Sequence, residues 1–227
     1  MFSPNTLDFL SENRFQNSRE WYRAHKAEYN AFVHAPLVEM VEALAPTLEQ
    51  IDSRIITEPK TDKTISRIYR DMRRAHGDFY REEMWLSFKR DKHMFPRYPE
   101  FFFVFSPRGF FYGCGYYATP SDTMQCLRQM VVEDHPTYLA AQQVADNEPG
   151  FSLSGDVYKR SRFPDQPPKK RAWLDRRDIC FMHSGDPITD LFAPDLAEKL
   201  ASAFWRIKPV YDLCLQAEQA ANELRMD

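Results

Sequence analysis

Four arginines and an aspartate fall within ten residues, ISRIYRDMRR at 65–74. A guanidinium is planar and permanently charged, and its paired N–H groups match the oxygens of a phosphate or carboxylate. Arg67, Arg70 and Arg73 therefore read as a clamp for an anionic ligand. Asp71 would either hold one arginine in place or make an ordinary surface ion pair. At 100° per residue, Ile65, Ile68, Tyr69 and Met72 gather on one side, and Lys63, Arg67, Arg70 and Arg74 on the other. Asp71 and Arg73 fall at the flanks, and two-residue alternation fails. The spacing predicts a helix pressed on the core with a basic outer face. A solvated basic face that grips nothing has the same pattern.

A second basic segment, YKRSRFPDQPPKKRAWLDRR, sets Tyr158, Phe163 and Trp173 among its charges. Rings and cations together suit single-stranded nucleic acid, but a mobile basic loop anchored to the core by its aromatics is the favoured reading. Residues 54–108 hold 13 Lys/Arg against 8 Asp/Glu, and residues 159–177 hold 8 against 2, within a chain of net charge −3. The expectation is a positive surface on an acidic body, with Arg160 and Arg162 closing over the 65–74 segment. The partner expected is an anionic small molecule or a nucleic acid. A pI near 6.1 speaks against a strong, sequence-independent nucleic-acid binder.

An enzyme reading would use the same groove, with Asp71 or His76 moving a proton. A non-catalytic protein-interaction module is the third possibility. His76 with Asp78, Asp91 with His93, and His183 with Asp186 each supply two metal donors, but none has an established ligand spacing, so no metal is expected. There is no phosphate loop, dinucleotide fingerprint or nucleophile elbow, and no cofactor is expected. Gly113 and Gly115 would share a strand face, leaving room for a ligand or for close packing. Cys114, Cys126, Cys180 and Cys214 are scattered, which predicts buried free thiols in a reducing compartment. The N-terminus has no secretory pattern and no apolar run reaches membrane-spanning length, so a cytoplasmic location is expected.

These residues need a scaffold. Asn17 with Glu20 predicts a helix start, carrying Trp21, Tyr29 and Phe32 inward and Arg23 outward. Thr6–Leu10 reads as a short helix, and a further helix follows Pro36. MWLSFKR at 84–90 reads as a strand. FFFVFSPRGFFYGCGYY at 101–117 reads as a β-hairpin, turning at Pro107 and Gly109, apolar on both faces and central in a covered sheet. Residues 120–145 read as helix interrupted at Pro136, Phe151 onward and Ile179–His183 as strands, and the last thirty-odd residues as helix broken or bent near Pro209. That order predicts a single α+β domain over 1–227, with a largely antiparallel sheet packed by N-terminal, middle and C-terminal helices.

NSREWYRAHKAEY, ISRIYRDMR, FSPRGFFYGCGYY and YKRSRF, in that order along the chain, resemble the domain of unknown function 2461 family of bacteria and fungi. In that family the arginine stretch is typically followed by a phenylalanine and then a lysine-rich pattern. Here it continues RRAHGDFYREE, with Arg74 in the phenylalanine's place. Arg67, Arg70, Asp71 and Arg73 match. The resemblance implies one domain and supplies no catalytic residue.

Overall fold

The computed structural model of the protein describes residues 1–71, 73, 77–91 and 98–226, the side chain of Met226 excepted. The chain opens with helices α1 (Pro4–Gln16), α2 (Arg19–Ala24) and α3 (Lys26–Tyr29), a π-helical turn (Asn30–His34) and α4 (Ala35–Ile51). Strands β1 (Met84–Lys89), β2 (Glu100–Ser106) and β3 (Gly109–Gly115) follow, then α5 (Ser121–Val132) and α6 (Pro136–Asn147). The remainder is β4 (Phe151–Ser154), α7 (Pro168–Leu174), β5 (Cys180–Ser184), a 3-10 turn (Ile188–Phe192) and α8 (Leu196–Met226). The strands form one antiparallel sheet in the order β1-β2-β3-β5-β4, so the class is α+β. Two compact units emerge: Met1–Phe88, Phe102–Tyr112 and Gly185–Ser202 make the first, and Lys89–Phe101, Gly113–Ser184 and Ala203–Asp227 the second.

The expected hairpin is present. Pro107 and Arg108 form its turn, the Arg108 amide donates to the Ser106 hydroxyl, and Gly109 adopts φ 145°. Phe101, Phe103 and Phe105 are fully buried on one face, whereas Phe102 and Val104 are half-buried on the other. Gly113 and Gly115 serve the neighbouring strand: a Cβ on Gly113 would lie 2.1 Å from the Phe181 carbonyl oxygen, and one on Gly115 2.4 Å from that of Ile179. Backbone crowds both positions, which accounts for the glycines without a ligand.

Several local expectations are corrected. Ser18, not Asn17, caps α2, accepting from the Trp21 amide. Its inward residue is Tyr22 rather than Trp21, which stacks on His25 at 4.0 Å. The π-helical turn then shifts the phase by one residue, so Val33 rather than Phe32 is buried. α1 is longer than expected, and α8 runs through Pro209 as one helix. Lys26–Ile51 is the one described helix long and apolar enough to cross a membrane. Its apolar stripe is already occupied, because Val33, Leu37, Val41, Leu44 and Leu48 are fully buried. Cys114, Cys126 and Cys214 are buried free thiols and Cys180 is half-buried.

In the second unit the end of α8 is tied to the start of α5 by charge. Arg225 donates to Asp122 at 2.5 Å and to the buried Glu218 at 2.8 Å, and Thr123 donates to Glu218. The Arg225 hydrogen bond, helped by the Thr123 amide, holds the Asp122 carboxyl well below its usual range. A carboxyl depressed in this way stabilises the fold above its unfolded pKa of about 3.9, and the contribution is lost as pH falls toward the folded value. Arg225→Ala is expected to lower stability at neutral pH by about 2 kcal/mol. It should also flatten the stability loss on acidification below about pH 4, as read by urea melts across pH.

Candidate functional site

The 65–74 segment is not a helix over its described residues; it is extended. Ile65 bridges Leu86 and Tyr69 bridges Tyr80, both antiparallel. The Ser66 amide donates to Trp85 and the Arg70 amide to Phe79, while Ser87 and Arg81 return hydrogen bonds to Thr64 and Ile68. Between the two bridges the 65–69 side advances four residues and the 80–86 side six. The extra residues lie on the 80–86 side, and the 65–69 side itself bends at Ile68. Ile65, Ser66 and Ile68 are all buried, and the Ile65–Ile68 spacing imitates a helical stripe. Met72 and Arg74 lie outside the described residues.

This segment takes its position from the α1–α2 junction in the same unit. α1 ends on Asn17 in the left-handed conformation, φ 44°, which asparagine tolerates better than other side-chain-bearing residues. The Asn17 carboxamide then acts as a surrogate peptide, donating to the Gly77 carbonyl at 2.9 Å and accepting from the Phe79 amide at 2.7 Å. Two residues on, α2 begins, and its Arg19 and Arg23 share one helix face at four-residue spacing. Below them Tyr22 meets Tyr29, Tyr69 and Tyr80 with ring centroids 5.6, 5.3 and 5.2 Å away.

The result is an open cavity of about 280 Å³ lined by Arg19, Arg23, Tyr69, Arg70, Phe79 and Tyr80. No carboxylate lines it among the described residues. Arg70 is braced by an Nε hydrogen bond to the Tyr80 carbonyl at 3.2 Å, and its Nη1 lies 3.9 Å from Asp78, which is itself held by Arg14 at 2.6 Å. Arg19 lies over the Phe79 ring at 5.2 Å. Neither Arg19 nor Arg23 enters a salt bridge among the described residues. Tyr80 is fully buried, and no aligned hydrogen bond reaches its hydroxyl. Burial, reinforced by Tyr69, pushes the Tyr80 pKa up to about 12, while the charges of Arg19 and Arg23 pull it back down. Burial likewise raises Tyr29 to about 12 and lifts Tyr22 further. These phenols stay protonated at neutral pH and are available as donors.

The other arginines singled out from sequence have different surroundings. Arg67 makes a bidentate pair with Asp62 through Nε and Nη2, and Arg73 makes one with Asp71 through Nε and Nη2 at 3.0 and 2.8 Å. Asp71 also accepts from the Arg73 amide, so the candidate acid–base carboxylate is already engaged. His76, the other acid–base candidate, lies outside the described residues, as does His93. Arg160 and Arg162 belong to the second unit and are described there. Both are exposed. The Arg162 guanidinium stacks on Tyr158 at 3.9 Å, and its amide and the Ser161 hydroxyl both donate to Asp175. No group of three potential metal donors occurs among the described residues.

The model of the conserved hypothetical protein family DUF2461 matches residues 5–213. The chain belongs to that family. The match takes in every element that builds the cavity, from α1 to the Tyr80 strand segment. A comparison with curated proteins finds no match. Sequence reasoning singled out Arg70 and missed Arg19 and Arg23. The signal was present, since REWYR sets two arginines on one turn of the helix that buries Tyr22.

The Asn17 junction can be tested apart from any ligand. Asn17→Ala is expected to destabilise the protein by about 2 kcal/mol, through loss of the left-handed cap and of two backbone hydrogen bonds. Asn17→Gly restores the left-handed geometry but not the hydrogen bonds, and should recover about half of that. Amide exchange at Phe79 should quicken in both variants.

Proposed function

We propose that this protein binds a small anionic ligand of the phosphate or carboxylate type in the cavity bounded by Arg19, Arg23 and Arg70. The observation that carries the reading is the convergence of three guanidiniums, two of them in no salt bridge among the described residues, on a cavity with no carboxylate among its described lining residues. Arg19 and Arg23 are exposed and Arg70 is half-buried, so their N–H groups are accessible and an oxyanion would take paired, charge-assisted hydrogen bonds from them. Arg70 is pre-oriented by the Tyr80 carbonyl, so less side-chain freedom is lost on binding.

This reading shifts the anion site within the basic region. Arg67 and Arg73 each already hold a carboxylate in a bidentate pair, and an incoming anion would have to displace it. Calorimetric titration with inorganic phosphate at low ionic strength tests the assignment. Arg19→Ala, Arg23→Ala and Arg70→Ala are each expected to weaken binding by about ten-fold or more, the range of one charge-assisted hydrogen bond. Arg67→Ala and Arg73→Ala should change it by less than about two-fold. Binding should also weaken as salt rises. Phosphate affinity unchanged in the Arg19, Arg23 and Arg70 variants would remove the proposal.

A further inference from the structure

The cavity has an aromatic half as well as a cationic one, and we infer that its ligand is a small aromatic phosphomonoester, its phosphate on the arginines and its planar ring against Tyr69. This rests on the anion site proposed above and adds the organic part of the ligand. Tyr69 differs from the other members of the tyrosine cluster: it remains 45% exposed, while Tyr22, Tyr29 and Tyr80 are 7% exposed or less. Its edge is fixed against Tyr22 at 71° and its ring lies 5.2 Å from that of Tyr80, so it is held in place yet still open. Tyr69 and Phe79 are cavity walls, and Arg19, already lying over Phe79, presents a planar cation beside them. Aromatic faces and guanidinium planes both stack on a flat ring, whereas an aliphatic polyol would gain little from either.

Size and charge restrict the ligand further. About 280 Å³ is more than a bare phosphate fills and lies just under the roughly 300–1,000 Å³ typical of small-molecule pockets. One phosphate and one ring system fit such a space, and a longer chain of nucleotides does not. With no carboxylate among the described lining residues, an amine or other cation on the ligand would find no partner among them.

The test is calorimetry on the full chain at low salt with four probes: inorganic phosphate, ribose 5-phosphate, phenyl phosphate and adenosine 5′-monophosphate. At least one aromatic phosphate is expected to bind about ten-fold more tightly than ribose 5-phosphate, the scale of one stacked ring. Phenyl phosphate and the nucleotide distinguish a ring attached directly to the phosphate from one carried across a sugar, and either result supports the inference. Tyr69→Ala should reduce the aromatic advantage to under about three-fold while leaving inorganic phosphate within about two-fold, and Tyr69→Phe should preserve it. Unchanged circular dichroism would show that both variants fold. If inorganic phosphate binds but aromatic phosphates do no better than ribose 5-phosphate, this inference is overturned and the anion site stands. An aromatic advantage that survives Tyr69→Ala also overturns it. If no probe binds, both readings fall.

Discussion

Asn17 leaves α1 in a left-handed conformation and turns its carboxamide onto the backbone of Gly77 and Phe79, sixty-odd residues away in sequence. That contact sets where the 77–80 segment lies relative to α2. The antiparallel bridge between Tyr80 and Tyr69 then carries the constraint to Arg70. Each guanidinium at the cavity is placed by this junction or by an element attached to it. A residue chosen for its tolerance of positive φ has thus become the anchor of a long-range contact, which is economical because the side chain that stabilises the turn also reaches the strand.

Within the first unit the arginines divide by what stands beside them. Arg67 and Arg73 sit close in sequence to Asp62 and Asp71 and are held by them on exposed surface, where ion pairs contribute little to stability. Arg14 pairs with Asp78 across the junction. Arg19 instead lies over the Phe79 ring, and with Arg23 and Arg70 it lines the cavity beside Tyr69 and Tyr80. Burial in the tyrosine cluster beside them pushes the Tyr29 and Tyr80 pKa values upward. Here the count of positive residues matters less than the number already neutralised.

Some features of the chain are strongly local and could be read directly. The 101–117 hairpin has its turn chemistry and both of its strands within seventeen residues, and β1 and α5 carry clear periodicities. The 65–74 segment misled for a physical reason. The segment bends at Ile68, so two isoleucines three apart are both buried, and only the bridges to Leu86 and Tyr80 reveal that the spacing is not helical. The one-residue error in the second helix arose because Ser18, not Asn17, caps it. The Gly113–Gly115 pair needed β5 beside it before its reason became visible.

By itself the sequence determined the α+β class, the hairpin, the membership in the DUF2461 family and the concentration of basic residues in two segments. Those depend on backbone propensity, turn chemistry and composition, which act over a few residues at a time. Only the tertiary structure decided which arginines are open. An arginine's availability depends on whether an acid or an aromatic ring is brought within a few ångströms of it. That outcome follows from distant contacts such as Arg14 with Asp78, which no local pattern contains.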